Sequence, residues 1–378
     1  MKKIIPIFII CLFALVTAQF LLSSSKLLKF PAQDFEVFYL AGQFALKGEN
    51  PYQRIPGKDP FKNPPPALLV FAPLASLPIL QSQALWFISS ITAYLIASFY
   101  LFKIVGWSGW KKWLIFLTAT IVFFPFRYNL GSGQINNILF LFIILNFYFL
   151  RTKPMKSALS LAGAIMLRVT PLFFMFSLLT TSRLKQIHQT FLGLLVLAII
   201  AFVFFGPSIY QNYQQGTDSY LNFGISSYYN QSIDGLLSRT LNQPHTHLVI
   251  ILVLLVTLLS TIYFQSRRIK DGFLRDLTLW SIGTICLLIF APYSWQYNFV
   301  VIIFSLVATF HLGRKLMLPK IFFGLLGLSY LLLGANIKNP LNFTGLLGGM
   351  ILSHVLIGAL ILLALDFYIL KKLQKSKA

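Results

Sequence analysis

The amino-acid sequence predicts an all-α, polytopic integral membrane protein of about ten transmembrane helices plus a re-entrant hairpin. Three observations carry this expectation. Hydrophobic residues fill 57% of the 378 positions, only 11% are charged, and the mean hydropathy is +0.76. A soluble domain cannot hide that much apolar surface. Apolar runs of spanning length recur along the whole chain, and the short alternating segments of a membrane β-barrel are missing. The Lys and Arg residues behind the net charge of +22 sit in short clusters between those runs. That is how topology signals are placed, so a nucleic-acid partner is rejected.

The first run, about 4–22, follows a basic start and ends near "VTA", which resembles a cleavage site. Its length suits an uncleaved anchor better than a secretory signal, and in either case Ser23 emerges on the non-cytoplasmic side. Further spans are expected at about 80–102, 113–125, 136–150, 190–206, 248–264, 277–291, 296–312, 320–335 and 344–370. The segment 157–181 is interrupted by "RVTP", and proline ends or kinks a helix. Read as a single span, it puts Arg183 and Lys185 on the wrong side. Two half-helices, 157–168 and 171–181, going in and coming back, remove the conflict. With that layout 21 of the 31 Lys and Arg fall in cytoplasmic segments and nine outside, leaving Arg168 at the hairpin tip. Both termini are then cytoplasmic. The chain reads as one transmembrane domain over 1–378, with long outside loops at about 23–79 and 207–247. Cys11 and Cys286 lie inside apolar runs and read as small buried residues.

The first outside loop holds "AQDFEVFYLAGQFALKGENPY", with three of the nine acidic residues. Taken as a helix from Phe35 to Lys47, it gathers Glu36, Gln43 and Lys47 into one wet strip. Asp34 falls roughly 160° away, in line with Phe38, Ala41 and Ala45. Such a helix is expected to lie on the membrane surface with its apolar side down. Asp34 stands just before the helical pattern and suits an N-cap. Held at a partly desolvated boundary, its carboxylate also suits a general base. After "NPPP" comes "ALLVFAPLASLP", too short to span, which reads as an interfacial or re-entrant helix led by Pro66.

Arg168 at membrane depth costs about 2.5–3.5 kcal/mol, so it needs a partner or a task. Its guanidinium suits a phosphate clamp, and equally an ion pair or carbonyl contacts that hold the hairpin. "RYNLGSGQINN" reads as a polar outside turn whose Gln134 and Asn137 offer amides to sugar hydroxyls, or as an ordinary turn. In the second long loop "YYNQSIDGLLSRT" brings Asn230 and Gln231 together with tyrosines, and "APYSWQYNF" brings Trp295. These residues suit a sugar or acceptor surface, or in the case of the aromatics a membrane-interface belt. Nucleotide loops, HExxH and Cys/His clusters are missing from the sequence, and the five histidines read as packing residues.

Taken in order, "DFEVFYLAGQFALKGENPY", "NPPPALLVFAPLASLP", "GQINNILFLFIILN", "LAGAIMLRVTP", "NQSIDGLLSR" and "APYSWQYN" resemble glycosyltransferase family 87 over about residues 30–310. That family contains polyprenyl-phosphate-mannose-dependent α-(1→2)-mannosyltransferases of GT-C fold. The resemblance implies a hexose, mannose foremost, moved from a polyprenyl-phosphate sugar donor to a glycolipid or polysaccharide acceptor at the outer face of the cytoplasmic membrane. It implies Asp34 as catalytic base, Arg168 at the donor phosphate, an inverting single displacement, membrane lipid as surroundings and no cofactor. Two positions depart from the family pattern. Lys is common where Arg168 stands, and the histidine pair after the "SW" motif is replaced by Tyr297 and Asn298. The competing readings are a transporter or flippase for a lipid-linked glycan, and a polymerase- or ligase-type enzyme using Arg239.

Overall fold

The computed structural model describes residues 4–24, 29–217, 224–241, 244–337 and 345–375. The expectations for Ser23's emergence from the membrane, for Lys26 and Lys338, and for the aromatics at 220 and 223 rest on residues outside the described backbone or side chains. Among the described residues all regular structure is helical, and the one β-bridge pairs Asn230 with Trp295. Among the described residues six helices are long and apolar enough to cross a membrane, or seven with one bent pair, which makes this a multi-pass membrane protein. The chain divides into two compact units, residues 1–169 with 189–220, and residues 170–188 with 221–378.

The first unit runs through α1 (Ile4–Ser24), α2 (Gln33–Leu46), a 3-10 turn at Pro65–Ala67, α3 (Leu68–Ala75), α4 (Ile79–Ile104), α5 (Trp110–Val122), α6 (Phe124–Ser132), α7 (Asn136–Phe149) and α8 (Pro154–Leu167). It then takes α10 (Leu184–Phe205) from Gln189 onward and α11 (Ser208–Thr217). α4 packs on α7, α7 on α8, and α2 on α3. The span expected at 113–125 is broken instead. α5 and α6 meet at 66°, because Pro125 occupies the start of the second helix and cannot continue the ladder of the first. The expected polar turn Arg127–Asn137 is mostly helix, and only 133–135 link α6 to α7. The apolar side of α2 meets α3, with Phe38 stacked on Phe71 at 4.6 Å. Gly42 sits so close that a Cβ would lie 2.6 Å from the Phe71 carbonyl oxygen. The apolar face of α2, expected to lie against the membrane, is covered by protein instead.

The second unit holds a 3-10 turn at Thr170–Leu172, α9 (Phe173–Thr180), α12 (Ile233–Thr240), α13 (Pro244–Ser266), α14 (Gly272–Ile289), a 3-10 helix at Gln296–Ile302, α15 (Ile303–Lys315), α16 (Lys320–Gly334), α17 (Gly345–Leu352) and α18 (His354–Lys375). The break expected at "RVTP" is present, since α8 stops at Leu167 and regular structure resumes at Thr170. The single span expected at 344–370 is split at Ser353. Asp271 caps α14 by accepting from the amides of Phe273 (2.9 Å) and Leu274 (3.0 Å).

Helices that are all apolar enough to span sit in two environments. The spanning windows of α10 and α13 are 17% buried, whereas that of α14 is 83% buried. Leu195, Ile199 and Val203 on α10 are thus available to lipid, and α14 carries its unit's polar contacts inside. Arg183 forks onto Asp276 through two bonds of 3.2 and 2.6 Å. Asp366 of α18 accepts from Ser281 (2.5 Å) and Thr309 (2.6 Å). Each buried carboxylate therefore has partners, as the membrane interior demands.

Candidate active site

In the first unit, the start of α2 is pressed against the end of α6. Gly133 adopts φ +76° as the left-handed C-cap of α6, where a side chain is strained. A Cβ there would lie 2.5 Å from Phe35 Cβ and 3.2 Å from Ala32 Cβ. Trp86 Nε1 donates to the Gly133 carbonyl at 2.8 Å and fixes it. The Ala32 amide donates to Gln83 Oε1 at 2.6 Å, and Gln83 Nε2 donates to the Phe30 carbonyl at 3.1 Å. These contacts hold the entry to α2 without a side-chain cap.

The N-cap of α2 is Ala32, one residue before the helix begins at Gln33. The capping reading of Asp34 is corrected on that ground, since the helix starts earlier than its apolar pattern suggests. Asp34 lies in the first turn, where the helix dipole favours a negative charge. Its carboxylate is half-buried and accepts hydrogen bonds from the side chains of Gln134 and Ser132. Burial pushes its pKa above the ordinary 3.8. The two hydrogen bonds pull it back down, Asp59 raises it, and Lys62 lowers it. Glu36, two residues on, instead pairs with Lys58 at 2.6 Å near the surface. The two acids thus occupy different environments, as the helical projection expects.

Arg168 ends α8 in extended backbone (φ −157°, ψ 137°) and donates from Nη1 to Asn136 Oδ1 at 3.0 Å. Asn136 Nδ2 in turn donates to Asn129 Oδ1 at 2.9 Å. Lys62, with Asp59, belongs to the same charged neighbourhood as Asp34 and Arg168. Burial lowers the Lys62 pKa first. Asp59 and Asp34 push it back up, and Arg168 lowers it further. Sequence reasoning passed over Lys62 and Ser132. The first looked like one outside cation among several, and the second like a turn residue. The usable signal for Lys62 was its setting between an aromatic and "NPPP".

Gln134 therefore joins Asp34 directly. Asn137 does not: it is fully buried and donates to Ser90 Oγ at 3.0 Å. In the second unit, Asn230 Nδ2 donates to the carbonyls of Ile225 (3.2 Å) and Pro292 (3.1 Å). Its Oδ1 accepts from the Ser232 hydroxyl (2.9 Å) and the Ser294 amide (3.0 Å). Gln231 Nε2 donates to the carbonyls of Tyr228 (2.6 Å) and Leu352 (2.7 Å). Both amides are fully buried and directed at backbone, so in this conformation neither offers a proton to a sugar hydroxyl. Arg239 is similarly occupied, donating to the carbonyls of Ser227 and Asn230 and to Ser353 Oγ, and burial lowers its pKa to about 10. His247 meets Asp234 at 3.1 Å. Trp295 is partly exposed, with its ring 5.8 Å from that of Tyr229 and 6.4 Å from that of Tyr297.

The family model for glycosyltransferase family 87 matches residues 61–292. That range contains Lys62, Gln134, Asn137, Arg168, Asn230 and Gln231, and leaves Asp34 and Trp295 outside. A curated relative from Mycolicibacterium smegmatis (strain ATCC 700084 / mc(2)155) is 26% identical in an alignment of 306 positions that covers 73% of this chain and 69% of the relative. It is named a polyprenol-phosphate-mannose-dependent alpha-(1-2)-phosphatidylinositol mannoside mannosyltransferase. No solved structure matches the chain.

Proposed function

The chain belongs to glycosyltransferase family 87, and from that premise we propose that it moves mannose from polyprenyl-phosphate-mannose to a glycolipid acceptor at the outer face of the plasma membrane. The donor and the acceptor class follow the mannosyltransferase of M. smegmatis by name. The outer face, the two cytoplasmic termini and a count of about ten spans follow from the distribution of Lys and Arg.

The observation that carries the reading is Asp34, a half-buried carboxylate with a raised pKa, oriented by Ser132 and Gln134 beside Lys62, which in turn lies near Arg168. In the proposed step the acceptor hydroxyl gives its proton to Asp34 as its oxygen bonds to the anomeric carbon. The bond from that carbon to the phosphate oxygen breaks, polyprenyl phosphate leaves with the electron pair, and the configuration inverts. Ser132 and Gln134 hold the carboxylate in place, and Arg168 lies against the charge that grows on the leaving phosphate. The aromatic face of Trp295, in the second unit, suits a sugar.

The test is sugar transfer from polyprenyl-phosphate-mannose in membranes that contain the native protein, Asp34→Asn or Asp34→Ala. Transfer by the native protein and its loss in both variants supports the reading. A folded Asp34→Asn protein with native activity removes Asp34 from the base role. Movement of lipid-linked glycan across vesicles, with no transfer from any polyprenyl-phosphate donor, sinks the reading altogether.

A further inference from the structure

Lys62 is the charged group that the reaction above leaves without a task. It stands in the loop between α2 and the turn at Pro65–Ala67, and both of its sequence neighbours are pinned. Phe61 is buried, with its ring 5.5 Å from Tyr52 and edge-on to Phe38 (6.2 Å) and Phe71 (6.0 Å). Asn63 donates from Nδ2 to the Leu167 carbonyl at 2.6 Å, and its own carbonyl accepts from Tyr52 Oη at 3.1 Å. The prolines at 64–66 stiffen the chain just beyond it. Leu167 directly precedes Arg168, so the loop is stapled to the end of α8 next to that arginine. A second clasp, Lys58 to Glu36, ties the same loop to α2.

Lys62 is exposed as a residue, yet it lies near enough to Arg168, Asp59 and Asp34 to be influenced by all three, with partial burial lowering its pKa. Two cations gathered in a partly dry place repel each other, and a bound anion relieves that cost. Charge conservation says which anion suits the pair. The donor is a phosphodiester with one negative charge. When the bond to the sugar breaks, the leaving lipid phosphate becomes a monoester and takes a second charge as the acceptor proton passes to Asp34. An arginine grips phosphate oxygens as a planar fork, and a lysine adds a compact point charge.

Resting on the donor reading above, we propose that Lys62 and Arg168 together form the receptor for the lipid phosphate, with Lys62 serving the charge that appears as the phosphate leaves. Asp59 keeps the Lys62 ammonium charged. The stretch from Asp59 to Pro64 is then part of the active site and not a mere connector. Because Lys62 answers to the developing charge, its loss weakens binding of the monoester product more than of the diester donor.

The experiment uses the full chain in lipid nanodiscs at about pH 8, above the second ionisation of a phosphate monoester. Binding of polyprenyl phosphate, polyprenyl-phosphate-mannose and uncharged polyprenol is measured for the native protein, Lys62→Gln, Lys62→Arg and the exposed-site control Lys47→Gln. Lys62→Gln is expected to lose about 10- to 100-fold in affinity for polyprenyl phosphate. It loses distinctly less for the mannosylated donor and nothing for polyprenol. Lys62→Arg recovers most of the loss, and Lys47→Gln binds as the native protein does. Native affinity for polyprenyl phosphate in Lys62→Gln overturns the proposal, and so does an equal loss for polyprenol. A native protein that prefers polyprenyl phosphate no more than polyprenol brings down the donor reading itself, which is visible before any variant is made.

Discussion

The groups around Asp34 in the first unit and those around Asn230 in the second are built from similar residue types. Each combines an acid, an arginine, amides and hydroxyls in a segment flanked by aromatics. Around Asn230 the hydrogen bonds run to backbone: Asn230, Gln231 and Arg239 together reach the carbonyls of Ile225, Pro292, Tyr228, Leu352, Ser227 and Asn230. Around Asp34 they run between side chains, and the charged groups perturb one another. Buried groups bonded to backbone hold a loop in one shape. Half-buried acids and bases with shifted pKa values, next to opposite charges, are poised to exchange a proton or an anion. The difference teaches that residue composition alone does not mark an active site; the partners of the side chains do.

Four substitutions press on that contrast. The largest effect is expected from Asp34→Asn, with transfer down by about 10²- to 10⁴-fold. The same variant should melt no lower than the native protein at neutral pH. Burial raises the folded-state pKa of Asp34, so its contribution to stability is full below the unfolded pKa and is lost as pH rises through the folded one. Asparagine carries no such cost at neutral pH, and a large fall in melting temperature would mark Asp34 as structural. Arg168→Gln comes next, lowering kcat/KM for the donor by about 10- to 100-fold, with Arg168→Lys restoring part of it. Unchanged donor kinetics would contradict the phosphate assignment.

Asn230→Ala turns the comparison round. It is expected to cost about 1–3 kcal/mol of stability, because several buried groups lose their partner, while the acceptor KM of the folded fraction stays native. A stable variant with a raised acceptor KM would make the second cluster a binding site after all. The smallest effect is expected from Trp295→Phe, which keeps an aromatic face but shrinks it. Acceptor KM should rise by about three- to tenfold with donor KM unchanged, since an aromatic stacking contact is worth about 1 kcal/mol. No change at all would return Trp295 to the interface-anchor reading.

Much of the helical order was legible because spanning length and hydropathy are local properties. The runs expected at 80–102 and 248–264 lie within α4 and α13, and the run at 190–206 overruns α10 by one residue. What hydropathy did not carry was interruption and neighbour. The break before Pro125 lies inside an apolar run, and the split at Ser353 has no proline to announce it. Nor did spanning length tell the exposed α10 from the enclosed α14, although α14 is the less apolar of the two. The opposed settings of Asp34 and Glu36 were readable from the 100° helical step. The contacts of Asp34 with Ser132 and Gln134 were not, because they depend on Gly133 letting distant backbone approach the start of α2. Lys62 stayed hidden for the same kind of reason: its environment is made by the anchoring of Phe61 and Asn63, which no local pattern encodes.

The pH dependence of transfer tests the central claim most directly, because a general base must be unprotonated to act. Asp34 is faced by Ser132 at the end of α6, by Gln134 of the α6–α7 link and by the charged Asp59 and Lys62 of the loop after α2, with Arg168 beside Lys62. Measured as kcat/KM for the donor across acid to neutral pH, activity of the native protein is expected to fall as pH drops through a single ionisation. The midpoint should lie above the ordinary carboxylate value of 3.8, and the limb should be missing from the residual activity of Asp34→Asn. A native profile that stays flat through the carboxylate range, or the same acid limb in Asp34→Asn, would contradict the assignment of Asp34 as the base.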